Sequence, residues 1–488
     1  MQDSQASGRQ FPQHIVVPSR SDPLLKTMAE PIGGPLGRRT DPGRTDPGFF
    51  TVERVLVFMA AVSAIIAVAA KSHCRQLGWT TPDQYSTVCW SAIPNSFVAD
   101  KLGSVFPFLS HGATFDFPPL AGLIAGVTAW LTGSAGNGAP RQLAFFDVNA
   151  ALIAVVWIFT VVVVARTARR RPWDAAIVAA SPLLWLTAYV SWDFWAAALV
   201  ALAIYLFSRR RSIWAGFVLG LAAMVAPYAI LLVLVLVFLG IRSGKTTQML
   251  ESLAAAAVGW LLVLAPAMAF NSSAWGAWVG PLFSQPASES SIYGGYNIVA
   301  ERMGLPQLSG SSVNILTAVL LGLLVLGVGT LALYAPRRPR VAQLSAVAVA
   351  GFMVVNKSTE PWHAIWLLPL LALALPRWRP VLLWQAAIVT HFIALMLYQS
   401  KVLGNISAQH AIDAPYFVLA SLLGGIATCA LIGLLVRDIR HPKHDVVRRH
   451  GVDDPQGGVL LDVAEPADVV VAGSASGTET ASGHPRHG

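Results

Sequence analysis

Asp83, Asp100 and Asp116 fall in one polar stretch, residues 71–120, which also carries His73, His111, Cys74 and Cys89 and has apolar runs on both sides. A carboxylate in such a place can take the proton of an attacking hydroxyl. Asp116 is the first candidate for that base, with Asp83 and Asp100 behind it. A second set suits recognition of a sugar on a phosphate. Lys357 and His363, in NKSTEPWH (356–363), are candidates for the phosphate, with Arg302 in reserve; Asp193, Tyr293 and Trp366 complete the candidate substrate site. Cations and hydrogen-bond donors hold a phosphate as charge builds on it. Each residue also has a plainer account. Loop charges are simply solvated, and aromatics at this face, Trp90, Phe115, Phe117, Trp192 and Trp362 among them, suit an interfacial belt as well as a sugar platform.

Motifs of soluble enzymes are missing from the sequence: no P-loop, GxSxG, HExxH or paired CxxC. The histidines are too scattered for a metal site, and none is assigned. A divalent cation between a carboxylate and a phosphate is compatible with the acids, but the ligand set is too thin to place one. His391 lies in the middle of an apolar run and reads as a hydrogen-bonded residue of a helix bundle rather than a ligand.

The elements that must position these groups are membrane helices. Hydrophobic residues make up 55% of the 488 and charged ones 12%, against roughly 25% charged in soluble domains. Several runs reach the ~20 apolar residues needed to cross a bilayer. The net charge of +9 is spread over short Arg/Lys clusters between those runs, as the positive-inside rule expects; nucleic acid is therefore excluded as the partner and the lipid bilayer takes its place. Three cysteines cannot build a disulfide scaffold. A Cys74–Cys89 bridge is open to the chain if their loop lies outside the cytoplasm, and two free thiols are the alternative.

Residues 1–50 and 441–488 are rich in small, polar and Pro/Gly residues and are expected to be disordered cytoplasmic tails. Between them, residues 51–440 form the transmembrane domain, with 71–143 as a large extracytoplasmic loop. If every basic cluster is cytoplasmic, an even number of crossings separates each neighbouring pair. Three apolar runs, 52–70, 118–133 and 144–165, lie between Arg44 and Arg166, so one does not cross. The run 118–133 is short, opens with Pro118-Pro119 and is expected to lie along the outer face as a juxtamembrane helix. The run 214–240 stands alone between two clusters and holds Pro227 near its middle, where proline removes a helix bond. Two short helices meeting near Ala226-Pro227-Tyr228 restore parity. The expected fold is all-α, with about 12 transmembrane helices and both termini cytoplasmic.

The chain resembles the GT-C superfamily of membrane glycosyltransferases and, within it, the actinobacterial proteins of glycosyltransferase family 87 (the DUF2029 group). The resemblance rests on CWSAIP (89–94), FDFPPLAG (115–122), SWDFWAAAL (191–199), AGFVLGLAAMVAPY (215–228) and NKSTEPWHAIWLLPL (356–370) in that order. It departs from the family pattern at three places: Ala92 stands for an acid, Ala226 for a lysine and Pro286 for an arginine. The resemblance implies an inverting transferase in the cell membrane. Such an enzyme moves a sugar, mannose first, from a polyprenyl-phosphate donor to a cell-envelope glycan or glycolipid acceptor. The alternative is a non-catalytic GT-C relative that binds or presents lipid-linked sugar or scaffolds envelope enzymes. A transporter is the weakest reading, because its sites favour the bilayer midplane, whereas these residues gather at one surface.

Overall fold

The structure is a computed structural model that describes residues 51–110, 113, 115–404, 411–448 and 453–461. The expected tail 1–50, His111 and the end of the expected C-terminal tail lie outside the described residues. The helices, in chain order, are α1 Val52–Ala69, α2 Ser72–Leu77, α3 Asp83–Ser86, α4 Ala92–Ala99, α5 Pro119–Leu131, α6 Ala139–Ala168, α7 Ala176–Ala179, α8 Pro182–Thr187, α9 Asp193–Ser208 and α10 Ser212–Ala223. They continue as α11 Ala229–Arg242, α12 Thr246–Phe270, α13 Ala274–Ser284, α14 Ile292–Met303, α15 Gly310–Tyr334, α16 Val341–Val355, α17 Leu368–Ala374, α18 Trp378–Leu403 and α19 Ala414–Arg440.

Six of these, α1, α6, α12, α15, α18 and α19, are long and apolar enough to cross a membrane; the other apolar segments are shorter or broken. Proline explains the breaks. The segment 173–190 divides at Ser181-Pro182 into α7 and α8, and 361–374 divides into a 3-10 turn, Pro361–Trp366, followed by α17. Irregular backbone survives at depth only where protein covers it. Residues 174–179 are buried, and the indole of Trp157 donates to the freed Val178 carbonyl at 3.0 Å.

The run 214–240 is two helices, α10 and α11, joined at Met224–Tyr228. Both ends return to the same end of the bundle, as parity requires. Arg242 donates to the Ala332 and Ala335 carbonyls, while the start of α10 packs on the start of α12, where Ser252 donates to the Ser212 carbonyl. The glycines of α10 permit that contact. A Cβ on Gly216 or Gly220 would stand 2.0 Å from the carbonyl oxygen of Ser252 or Ala256. Gly216-x-x-x-Gly220 is thus a small-residue stripe that lets two backbones meet. Gly220→Leu is expected to destabilise the bundle by about 3 kcal/mol, the upper range for overpacking. Thermal aggregation in detergent checks it, and an unchanged midpoint would refute the stripe's role.

α5 does not cross the bundle. The Leu120 N–H at its start donates to the Met224 carbonyl at the α10–α11 tip, and the Ala129 carbonyl near its end accepts from Arg141 in the first turn of α6. Phe108 and Phe106 pack closely on Gly122 and Gly126. The long polar loop is further tied by a Cys74–Cys89 disulfide and by Arg75, which grips Asp147 with two bonds of 2.9 Å.

Among the described residues the basic clusters converge on the opposite end, where Arg169 donates to the Ser208 carbonyl, Arg338 to the Ser243 hydroxyl and Arg377 pairs with Asp438. Residues 441–448 and 453–461 stay packed there, which moves the start of the expected C-terminal tail: Asp445, Asp454 and Leu460 are each 1% exposed. The reason is charge pairing. The Asp445 carboxylate accepts from Arg340, and Asp454 accepts from the Val341 N–H at 3.2 Å.

Candidate functional site

At the end away from the basic clusters, α9 begins at Asp193, which is 8% exposed. Its Oδ1 accepts from the indole of Trp366 at 2.9 Å and its Oδ2 from the Ser191 hydroxyl. His363 stacks on Trp366 with ring centroids 4.2 Å apart, and Tyr228 stacks on the same indole at 4.6 Å. The Glu360 N–H donates to His363 Nδ1 at 3.0 Å, so the neutral ring carries its proton on Nε2. That Nε2 lies 4.0 Å from Asp193 Oδ2, too far for a hydrogen bond. The imidazole thus keeps a donor that a substrate oxygen can use. The Tyr228 hydroxyl, buried beside them, has no partner. The structure therefore brings together three of the sequence candidates, Asp193, His363 and Trp366.

Beside them, Trp192 packs against Phe115 and Phe117, and its indole donates to Asn149 Oδ1 at 2.9 Å. Ala92, at the place where the family pattern carries an acid, begins α4; its N–H donates to the Val190 carbonyl at 2.8 Å.

The first-loop acids divide. Asp100 and Asp116 are neighbours: burial, and then the Asp116 charge, push the Asp100 carboxyl up to about 6. Asp116 itself is exposed. Asp83 belongs elsewhere. It starts α3, which packs against α18 near its end. Among the described residues no group of three or more His, Cys, Asp and Glu side chains is placed to hold a metal ion.

The cations are engaged. Lys357 donates to the Gln285 carbonyl at 2.9 Å and to Asn314 Oδ1 at 2.7 Å, and burial lowers its ammonium's pKa. Arg302 is exposed in the last turn of α14 and faces the Asp413 charge. Tyr293 is 4% exposed and donates to the Val355 carbonyl at 2.9 Å, which makes it a packing residue here.

Sequence reasoning noted Glu360 among the polar residues of NKSTEPWH without giving it a role, and passed over Lys71. Lys71 follows α1, is 1% exposed and donates to the Trp90 carbonyl at 2.9 Å; burial lowers its pKa to about 7. Glu360 begins the turn that carries His363 and Trp366. Its Oε1 accepts from the Ser288 hydroxyl at 2.6 Å, its Oε2 is out of water with no partner, and burial raises its pKa to about 7. The signal was present in NKSTEPWH: an acid three residues before a histidine that opens a proline-started turn.

Thr359, Glu360 and Pro361 also border a cavity of about 520 Å³ between α14, α16, α18 and α19. Its walls are mostly apolar, and Leu422 and Ile426, both exposed, stand on its open side. His391 lines it, 6% exposed and with Nε2 unpartnered. That nitrogen departs from the expectation that His391 is bonded within the bundle; Gly424, which lies against the Nδ1 side of the ring, offers no side chain there either. A buried polar atom left unpaired costs about 1–3 kcal/mol.

An all-helical bundle with an acid–imidazole–indole cluster at one end and a lipid-facing cavity beside it defines a multi-pass membrane protein with its polar site at one surface. Residues 115–358, half of the chain, match Glycosyltransferase family 87, and the protein belongs to that family. The match ends just before the Glu360–Trp366 turn. Among solved structures the chain is similar to the crystal structure of ArnT from Cupriavidus metallidurans bound to undecaprenyl phosphate. The identity is 13% and the TM-score 0.40, over 80% of this chain and 78% of that one. No curated protein matches the chain by sequence.

Proposed function

We propose that this protein transfers a sugar, mannose first, from a polyprenyl phosphate to a cell-envelope glycan or glycolipid at the outer membrane face. One observation carries the reading. The single turn Thr359–Trp366 has the Asp193–His363–Trp366 cluster on one side and the lipid-facing cavity on the other. A substrate anchored in lipid thereby meets hydrogen-bonding groups without leaving the membrane.

In this reaction the acceptor oxygen bonds to the anomeric carbon, the carbon–oxygen bond to phosphate breaks, and the polyprenyl phosphate departs. His363 donates from Nε2 to a phosphate oxygen as charge grows there. Asp193 fixes the Trp366 indole on which the imidazole stacks. Lys357 joins if the phosphate displaces Gln285 or Asn314 from its ammonium. The acceptor's proton goes to a carboxylate, Asp116 being the candidate from sequence. Basic clusters at the opposite end favour a cytoplasmic position for that end and for both termini.

The test uses the full chain in proteoliposomes with radiolabelled polyprenyl-phosphate mannose and an extract of envelope glycolipids. Label is expected in the glycolipid fraction. Transfer from a nucleotide sugar but not from the polyprenyl phosphate would overturn the donor assignment. Single-cysteine labelling that put residues 73 and 357 on opposite membrane faces would overturn the shared site.

A further inference from the structure

We infer that the cavity beside Glu360 holds the acceptor rather than the donor: an acyl lipid with an uncharged, hydroxyl-bearing headgroup, whose attacking hydroxyl gives its proton to Glu360 Oε2. The inference rests on the transferase reading above and names the substrate of its lipid cavity and the base.

Charge comes first. No lysine or arginine lines this cavity. The groups that face the Glu360 carboxylate are the Glu289 charge, the Ser288 and Ser290 side chains and the turn that carries His363. Glu289 is itself held from α18 by the Gln399 amide. A phosphate placed at this mouth would meet two acids and no cation, in surroundings where burial strengthens the repulsion. A hydroxyl would meet an acceptor.

Unfilled hydrogen bonds come second. At the mouth, Thr359 Oγ1 is buried without a partner, and Ser290 Oγ and Glu360 Oε2 are buried beside one another with no partner beyond that contact. Buried polar atoms are ordinarily paired, and a sugar headgroup supplies several hydroxyls to one small area. Deeper in the wall, His391 Nε2 is also unpartnered. An isoprenoid chain has no polar atom to offer it. An acyl lipid carries ester oxygens below its headgroup, and one of these can accept from an Nε2–H of the imidazole.

The proton balance follows. The acceptor O–H bond breaks as its oxygen bonds to the anomeric carbon, the sugar–phosphate bond breaks, the electron pair leaves with the phosphate, and the proton ends on Glu360. A carboxyl poised near 7 by burial is half ionised at neutral pH and suits that task. The rate should therefore rise with pH through about 7 as Glu360 ionises. Asp116, exposed, then has no part in taking this proton.

The test places full-length protein in nanodiscs with two photoprobes, each with a diazirine in its chain: a mannosyl diacylglycerol and a polyprenyl phosphate. The neutral probe is expected to label α19 between Gly424 and Cys429, and Gly425→Trp, which fills open space in the cavity wall, should cut that labelling at least roughly ten-fold if one bulky ring closes a site this size. Unlabelled polyprenyl phosphate should not compete. Equal or stronger labelling by the phosphate probe, or none by either, overturns the acceptor assignment. In sugar transfer, Glu360→Gln should lower kcat by roughly 10²–10⁴ and abolish the rising limb near pH 7, with Glu360→Asp recovering part of the rate. An unchanged pH profile overturns the base. If the wild type binds the neutral probe but moves no sugar from any donor, the transferase reading and the base fall together, while the labelling still decides the cavity's occupant.

Discussion

Arg340→Ala is expected to cost about 3–5 kcal/mol of stability, the range for breaking a buried ion pair from one side. Arg340 is 0% exposed and its partner Asp445 is 1% exposed. The guanidinium meets the carboxylate through two bonds, of 2.7 and 3.0 Å, and also donates to the Leu373 and Ala374 carbonyls at the end of α17. Those carbonyls have no partner inside their own helix. One side chain thus joins the start of α16, the end of α17 and the segment after α19. Alanine would leave a carboxylate out of water, with only the Gln343 amide, the Val447 N–H and the more distant Arg448, at 4.0 Å, near it. The double change Arg340→Met with Asp445→Leu removes both charges and is expected to be milder than Arg340→Ala, since an apolar pair of similar volume often replaces a buried ion pair without loss. Melting midpoints in detergent read both. Equal midpoints for Arg340→Ala and the wild type would show that the clamp does not hold this end together.

That clamp also marks a limit of sequence reading. The long apolar helices and the α10–α11 break at Pro227 were legible because they follow from local apolarity and proline. The resting place of α5 was legible for the same reason, with Pro118-Pro119 and a run too short to cross. Asp445 was not: a polar segment looks like a tail until a buried arginine 105 residues earlier in the chain claims it. The site divides the same way. Asp193, His363 and Trp366 could be nominated as polar or aromatic residues at one surface, but the Trp366–Asp193 bond spans 173 residues and no local pattern encodes it. Glu360 was visible in its motif and unranked, since its significance lies in an oxygen that burial leaves without a partner. Lys357 shows the converse. Its charge made it a natural phosphate ligand, and the fold spends two of its hydrogens on Gln285 and Asn314.

Asp193→Asn is expected to lower kcat for sugar transfer by roughly 10²-fold, the cost of a small misplacement around a reacting centre, with little change in the KM for donor. Asp193 is a positioning residue: it acts through Trp366 and His363. Its two oxygens accept from two donors, the Trp366 indole and the Ser191 hydroxyl. An amide has one accepting oxygen, so one donor must face an NH₂ group. If the indole loses its partner, the face on which His363 stacks at 4.2 Å is free to turn, and the Nε2–H turns with it. A role in folding alone would lower yield and melting midpoint without touching the rate per folded molecule. The separating measurement is a double-mutant cycle with His363→Gln, read in kcat. If both residues serve one phosphate-binding geometry, the two losses will not add, with a coupling of at least about 1 kcal/mol. Additive losses, or a rate for Asp193→Asn within a few-fold of the wild type, would remove Asp193 from the site and leave its carboxylate as a packing group at the start of α9.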